Sequence, residues 1–243
     1  MESKFKLFTL FSIFVLFTFS QSRAQQYTPL GFEGGLNLSV SVPQGEFADQ
    51  TDAIGIGGNL HFLYQLPATP VALGINLGFM NYGSETRSEP FSTTIPDVKV
   101  RVTNSNNLGS GHLVARIQPP NAVFKPYVEG LFGFNYLYTD TKIQDDDVFD
   151  DDDDVASSTN FEDWTSSMGV GIGFRFKLTT IRDENATPIG GLFLDIGTRY
   201  LFGGDAEYLK EGSIRRDGAQ VTYDVAESRT DLIQINVGVV LEF

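Results

Sequence analysis

The chain has 243 residues with 25 glycines, 21 phenylalanines and no cysteine, and its 31 acidic against 17 basic side chains give a formal charge of −14. The missing cysteine removes disulfide frameworks, thiolate metal sites, cysteine nucleophiles and a lipid-modified N-terminal cysteine, and a charge this negative repels nucleic acid. A hydrophobic content of 41% is too low for a polytopic helical membrane protein and too high for a disordered chain.

Residues 1–24 read as a secretory signal peptide: Lys4 and Lys6, an apolar run from Leu7 to Phe19, then Ser22, Arg23 and Ala24 before Gln25. The run falls short of the roughly 20 residues a spanning helix needs. Its removal leaves 14 basic and 30 acidic side chains, a charge of −16. No long apolar run follows, so if residues 25–243 enter a membrane they do so as one closed barrel domain.

From residue 31 the period is two. In GFEGGLNLSVSV (31–42), Phe32, Leu36, Leu38, Val40 and Val42 oppose Glu33, Gly35, Asn37, Ser39 and Ser41. Strands follow at 53–66, 71–82, 107–118 and 127–139. The VKVRV stretch at 98–102 extends the fourth strand, but its alternation is out of phase with Leu113, Ala115 and Ile117, so a bulge is expected between them. In the strand at 163–178, Trp164, Met168, Val170, Ile172, Phe174, Phe176 and Leu178 oppose a face of Ser, Thr, Gly, Arg175 and Lys177. A strand at 190–203 precedes the last, 230–243, where Ile233, Ile235, Val237, Val239, Leu241 and Phe243 form one uniformly apolar side.

A soluble sandwich or a lipocalin-type barrel also alternates, so the second face decides. It carries small and polar residues instead of the Lys, Glu and Thr mix of a solvated sheet, which suits a crowded lumen behind a lipid-facing exterior. Connections at 67–70, 119–126 and 179–189 are short, those at 83–106, 140–162 and 204–229 are long, and 43–52 is intermediate. The reading is an all-β, eight-stranded antiparallel up-and-down transmembrane β-barrel with short periplasmic turns, long extracellular loops and both termini in the periplasm. Strand direction gathers Tyr136, Tyr138, Trp164, Tyr200 and Phe202 at the outer rim and Phe32, Tyr64, Phe174, Phe176 and Phe243 at the inner one, as two aromatic girdles.

Phe243, with Leu241 and Val239 alternating before it, resembles the carboxy-terminal assembly signal of bacterial outer-membrane barrels. The segments PYVEGLFGFNYLY (126–138), MGVGIGFRF (168–176) and LDIGTRYLFGG (194–204) resemble the small porin-like barrel domain common in Bacteroidota, related in shape to OmpA and OmpX. The resemblance implies an eight-stranded outer-membrane barrel and brings no shared catalytic residues.

The same register turns Glu33, His61, Arg116, Glu129, Arg175, Lys177, Asp195, Arg199 and Glu242 inward. A buried unpaired charge is expensive, and these charges are balanced. Glu33, Arg116, Glu129, Arg175, Lys177 and Glu242 fall toward one end of their strands and are expected to form one connected network. A proton or ion gate is one use of such a network. A salt-bridged plug with no open pore fits better, because eight strands enclose only room for side chains.

Other chemistry is sparse. The run Asp145–Asp154 suggests calcium, yet it lacks the glycine turn and terminal glutamate of an EF-hand loop, and reads as a solvated extracellular loop. Gly55, Gly57 and Gly58 are followed by a strand, not the helix a dinucleotide loop needs. Asn37-Leu-Ser39 and Asn185-Ala-Thr187 match the glycosylation acceptor pattern by its length alone. Ser110 and His112 share a face and could meet, which keeps a lipid A-modifying enzyme as an alternative, although histidine precedes serine in the deacylase-like barrels. A soluble periplasmic barrel around a hydrophobic ligand is the other. The reading favoured is a non-enzymatic barrel with no cofactor, displaying acidic loops. Its partners are outer-membrane lipid and lipopolysaccharide, the outer-membrane assembly machinery and a larger envelope complex.

Overall fold

The computed structural model describes residues 31–51, 53–92, 95–145, 154–217 and 220–243. The elements in chain order are β1 (Phe32–Pro43), α1 (Glu46–Gln50), β2 (Gly55–Gln65), β3 (Val71–Ser92), β4 (Ile95–Ile117) and β5 (Phe124–Asp145). They continue with β6 (Asp154–Arg182), β7 (Pro188–Gly203), β8 (Asp205–Asp217), β9 (Gln220–Arg229) and β10 (Leu232–Glu242). β1 to β7 and β10 form a closed barrel of antiparallel neighbours, while β8 and β9 form a separate two-stranded sheet. β10 pairs back onto β1, Leu38 opposite Val237. Beyond the last rung, Phe32 N donates to Phe243 O at 3.1 Å and Phe243 N to Phe32 O at 3.0 Å. No barrel edge is left open at this seam.

Along each barrel strand the apolar residues point out and the polar ones in. Ile235, Val237 and Phe174 are exposed, as are Leu36, Leu38, Val170 and Ile172, whereas Asn37, Ser39, Asn59 and Asn236 are buried. The eleven residues of β10, tilted as barrel strands are, carry this apolar belt over about 25 Å. Aromatic rings border it. Tyr136 lies tilted against Trp164 at 4.4 Å and Tyr200 against Phe202 at 4.5 Å at the end of the long connections, and Phe32 meets Tyr64 at 4.9 Å at the other end. Phe124, left in a turn by the sequence pattern, joins the lower ring 5.0 Å from Phe176.

The two ends of the barrel are unlike. At the lower end, where Phe32 and Phe243 meet, the connections are 66–70, 118–123 and 183–187. In the last, Asp183 Oδ1 accepts from the amides of Asn185 and Thr187 at 2.9 and 2.7 Å, closing a side-chain turn that holds Ala186 at φ 62°. At the upper end β3, β4, β5 and β6 run on for 22, 23, 22 and 29 residues, well past the 11 of β2 and 16 of β7. They make an upright wall on one side of the mouth.

Two upper connections differ from expectation. Residues 204–229 are not an open loop but the β8–β9 hairpin, which leans against the inner face of the wall and contacts β3, β4, β5 and β6. Residues 46–50 form the single turn α1, and its Phe47 is fully buried. The bulge is also displaced. β4 stays in phase with β5 without interruption from Val100 to Ile117. The irregularity lies on β3, where Tyr82 is the extra residue between Asn81 and Gly83. Val100 and Val102 keep the inward side of β4 and are buried. Above the belt they face the hairpin, so their phase needs no correction.

Candidate functional site

The lower lumen is filled by ionised side chains. Glu33, Arg116, Glu129, Arg175, Asp195 and Arg199 come from β1, β4, β5, β6 and β7 and are each 5% exposed or less. Register sets the first contacts: Arg116 stands opposite Glu129, and Arg175 opposite Asp195. Arg116 donates Nε and Nη2 to Glu129 Oε2 at 3.0 and 2.7 Å, and Arg199 Nε donates to Glu129 Oε1 at 2.7 Å. Across the barrel, Glu33 Oε2 accepts from Arg175 Nη1 at 2.7 Å and Gln118 Nε2 at 2.9 Å. Arg116 Nη1 lies 3.6 Å from Glu33 Oε1, and Arg175 Nε lies 3.8 Å from Asp195 Oδ1. Three carboxylates thus face three guanidinium groups, the neutral sum a sealed interior requires.

Tyr127 stands at the centre of this layer. The Arg116 guanidinium sits 4.2 Å and that of Arg175 5.6 Å from its ring centre. The ring lies across Gly173 and Gly197, where an added Cβ would meet the phenol oxygen at 2.4 and 2.3 Å. Glycine at these two positions is what admits the ring.

Lys177 and Glu242 stand apart from this network, and the expectation of one connected set is corrected. Glu242 Oε1 accepts from Lys125 Nζ at 2.5 Å, and Lys125 also donates to the Pro120 carbonyl at 2.8 Å. Lys177 is half-buried, its Nζ 5.8 Å from the Phe193 ring centre. The cause is where β5 begins. It starts at Phe124 rather than 127, so Lys125 enters the lumen and takes Glu242. Lys125, Gln118 and Tyr127 were missed, although Lys125 and Tyr127 share the inward parity of Glu129.

Higher in the lumen the fillings are amides and hydroxyls. Asn59 Nδ2 donates to Ser39 Oγ and Asn236 Oδ1 at 2.8 Å each, and Ser39 Oγ donates to Asn236 Oδ1 at 2.7 Å. His61 Nε2 accepts from Arg175 Nη2 at 3.2 Å, linking this layer to the ionic one. His112 Nε2 shares a hydrogen bond with Ser167 Oγ of β6 at 2.9 Å. A strand sets residues i and i+2 about 6.6 Å apart, and the imidazole reaches to β6 instead of along β4 to Ser110. The serine–histidine pairing weighed for Ser110 and His112 gives way to this bond.

Above these layers the mouth is closed by hydrocarbon. Met80, Leu108, Leu137, Leu201 and Leu232 of the barrel cluster with Phe47 of α1, Tyr82 of the bulge, and Ala206, Tyr208 and Ala226 of the hairpin. Phe47 meets Tyr208 edge-on at 5.1 Å and Tyr82 at 5.7 Å. The Tyr208 hydroxyl bonds Ser228 Oγ at 2.8 Å, and burial holds its pKa above the ordinary value. Polar ties fix the hairpin from outside: Arg87 Nη1 donates to Ile214 O at 2.6 Å, Glu207 N to Asp163 Oδ2 at 2.8 Å, and Gly212 N to Glu85 Oε2 at 2.9 Å.

Charge is divided as sharply as polarity. The described residues of segments 43–54, 82–106, 139–163 and 204–231, which form the upper end, include 17 acidic and 8 basic side chains. The other described residues hold 6 of each. The net negative charge of the described residues therefore belongs to the upper end alone. Residues 146–153 of the aspartate run and segment 1–24, where a signal peptide is expected, lie outside the described residues. Among the described residues no group of three or more His, Asp or Glu is placed to hold a metal ion.

No curated protein matches the chain in sequence. Among solved structures it is similar to Neisserial surface protein A, NspA, at 12% identity and a TM-score of 0.44, covering 88% of this chain and 97% of that one. The N-terminal β-barrel domain of Pseudomonas aeruginosa OprF gives 12% and 0.38, covering 89% and 100%. Ail, the attachment invasion locus protein of Yersinia pestis, gives 14% and 0.34, covering 87% and 96%. The outer membrane protein beta-barrel domain model matches residues 11–243, and the chain belongs to that family.

Proposed function

We propose that the barrel crosses the outer membrane with its long connections on the cell surface and both termini in the periplasm. It works there as a plugged anchor that displays a firm acidic cap, in a structural role or as an accessory to a larger envelope complex. It conducts no ions and catalyses no reaction. The observation that carries this reading is the inversion of the barrel faces: Leu38, Ile172 and Val237 outside, Arg116, Arg175 and Asn59 inside. A soluble ligand carrier needs the opposite arrangement, because its wall meets water and its cavity meets a greasy guest. The filled lumen supports the absence of a pore. Its environment is outer-membrane lipid and lipopolysaccharide, and the assembly machinery reads the end of β10 through Phe243, Leu241 and Val239.

Two measurements test this. The purified protein in planar bilayers should give no stable conductance, and a large steady one overturns the plug. Protease added to intact cells should cut only at the upper end, while a tag placed after Phe243 should stay protected. Cleavage of that tag overturns the orientation.

A further inference from the structure

We propose that the outer edge of β9 is a docking strand for an extended, lysine- or arginine-bearing polypeptide. Among the described residues β9 pairs with β8 alone. Thr230 N donates to Gly204 O, opposite it in register, and Ala226 and Ser228 continue that set of rungs toward β8. The backbone groups of the alternate residues point the other way. Arg229 N does so and meets Glu46 Oε2 of α1 at 3.3 Å. Glu207 N, on the far side of β8, likewise turns outward and meets Asp163. α1 packs against the Arg229 end of this edge, and the outward groups of Val225 and Tyr223 lie further along it, away from that contact.

Natural edges are blunted by charge, twist or cover. This one keeps Tyr223 and Val225 exposed, 47% and 40%, on the face turned away from the barrel. The upper edge of β3, from Gly83 to Ser88, offers no apolar side chain. Charge selects the occupant. Asp224 and Glu227 of β9 and Glu207 of β8 are exposed, α1 is acidic in its first turn, and the described residues of the upper end include 17 acidic against 8 basic. A second copy of this cap, an anionic lipid headgroup or a nucleic acid is repelled. A strand alternating cationic and apolar side chains pairs its backbone with β9, sets its apolar residues beside Tyr223 and Val225 and turns its cations to the opposite face, toward Asp224.

The test uses the full-length protein refolded in detergent micelles, its folding checked by heat-modifiable gel migration. Three labelled peptides are compared by fluorescence anisotropy: a Lys–Val alternating octapeptide, its Glu–Val counterpart, and the Lys–Val peptide with two residues replaced by proline. The first should bind, and the other two should bind at least about tenfold more weakly. Val225→Pro removes an outward amide without touching the rungs to β8 and should weaken the first peptide by a similar factor. Equal binding of the proline peptide, equal binding to the V225P protein, or no binding of the first peptide overturns the proposal. Migration unchanged in V225P keeps such a result separate from a failure of the barrel itself.

Discussion

At the level of Arg116 and Glu129 the barrel is filled by ionised side chains; further along the same β4, at Leu108, it is filled by hydrocarbon. The two layers differ in where their parts come from. Every member of the ionic layer is carried by a barrel strand, so it cannot come apart unless the ring opens. The apolar layer is completed by Phe47 and Tyr208, which belong to the connections, and these can leave while the ring stays closed. The lower filling is thus part of the global stability of the barrel, and the upper one a locally cooperative unit.

The hardest blow to this comparison falls on the lower layer. Arg175→Ala strips Glu33 and Asp195 of their shared cation in a site with no exposure, and should cost about 3–5 kcal/mol. Urea unfolding in lipid vesicles reads this as a lower midpoint for the whole barrel. Arg175→Ala with a midpoint like the native one would show that the layers are not distinguished in this way. Phe47→Ala should come next, removing about 3 kcal/mol from the docking of the hairpin. Here the barrel midpoint should hold while hydrogen exchange quickens in β8 and β9; loss of the barrel with it would merge the two layers. Smaller again, Gly197→Ala drives a Cβ against Tyr127 and should cost about 1–3 kcal/mol of barrel stability, with Tyr127→Leu in the same chain recovering part of it.

The smallest effect sharpens the upper layer by pH. Burial, with Glu46 nearby, raises the Tyr208 pKa above 10.0 although the Ser228 bond lowers it. The folded cap therefore prefers the neutral phenol. Its contribution is whole below the unfolded value and is lost as pH rises through the folded one. Exchange in β9 should accelerate above about pH 10 in the native chain. Tyr208→Phe should lack that step, at a cost of about 1 kcal/mol for the lost hydrogen bond.

What could be read from the sequence follows the same division. Wherever lipid-like exposure and a crowded lumen impose one rule, as from Ile233 to Phe243, the alternation names both faces. Above the belt the rule reverses, since the outward side chains, Arg101, Thr103 and Ser105 on β4, are polar and the hairpin fills the inside. The phase of Val100 and Val102 then looks like an error that a bulge must repair, when it is the ordinary pattern of a water-soluble sheet. The hairpin itself escaped notice because DAEYLKEGSIRRD has no clean period, its β8 strand being irregular between Leu209 and Ile214. Phe47 was hidden by the polar residues around it. Lys125 was hidden by Pro126, which suggested a turn where an edge of the ladder already runs.

The division of charge has a consequence for the proposed membrane setting. Neighbouring copies there would meet through oily flanks, and each would lift the carboxylates of its upper end, Glu162, Glu207 and Glu227 among them, into the medium. Salt at physiological strength mutes such repulsion beyond about 8 Å, so it acts between caps nearly in touch. A crowded leaflet of such molecules would space itself out, as brush bristles do, and magnesium or calcium in the surroundings would set how closely the bristles stand.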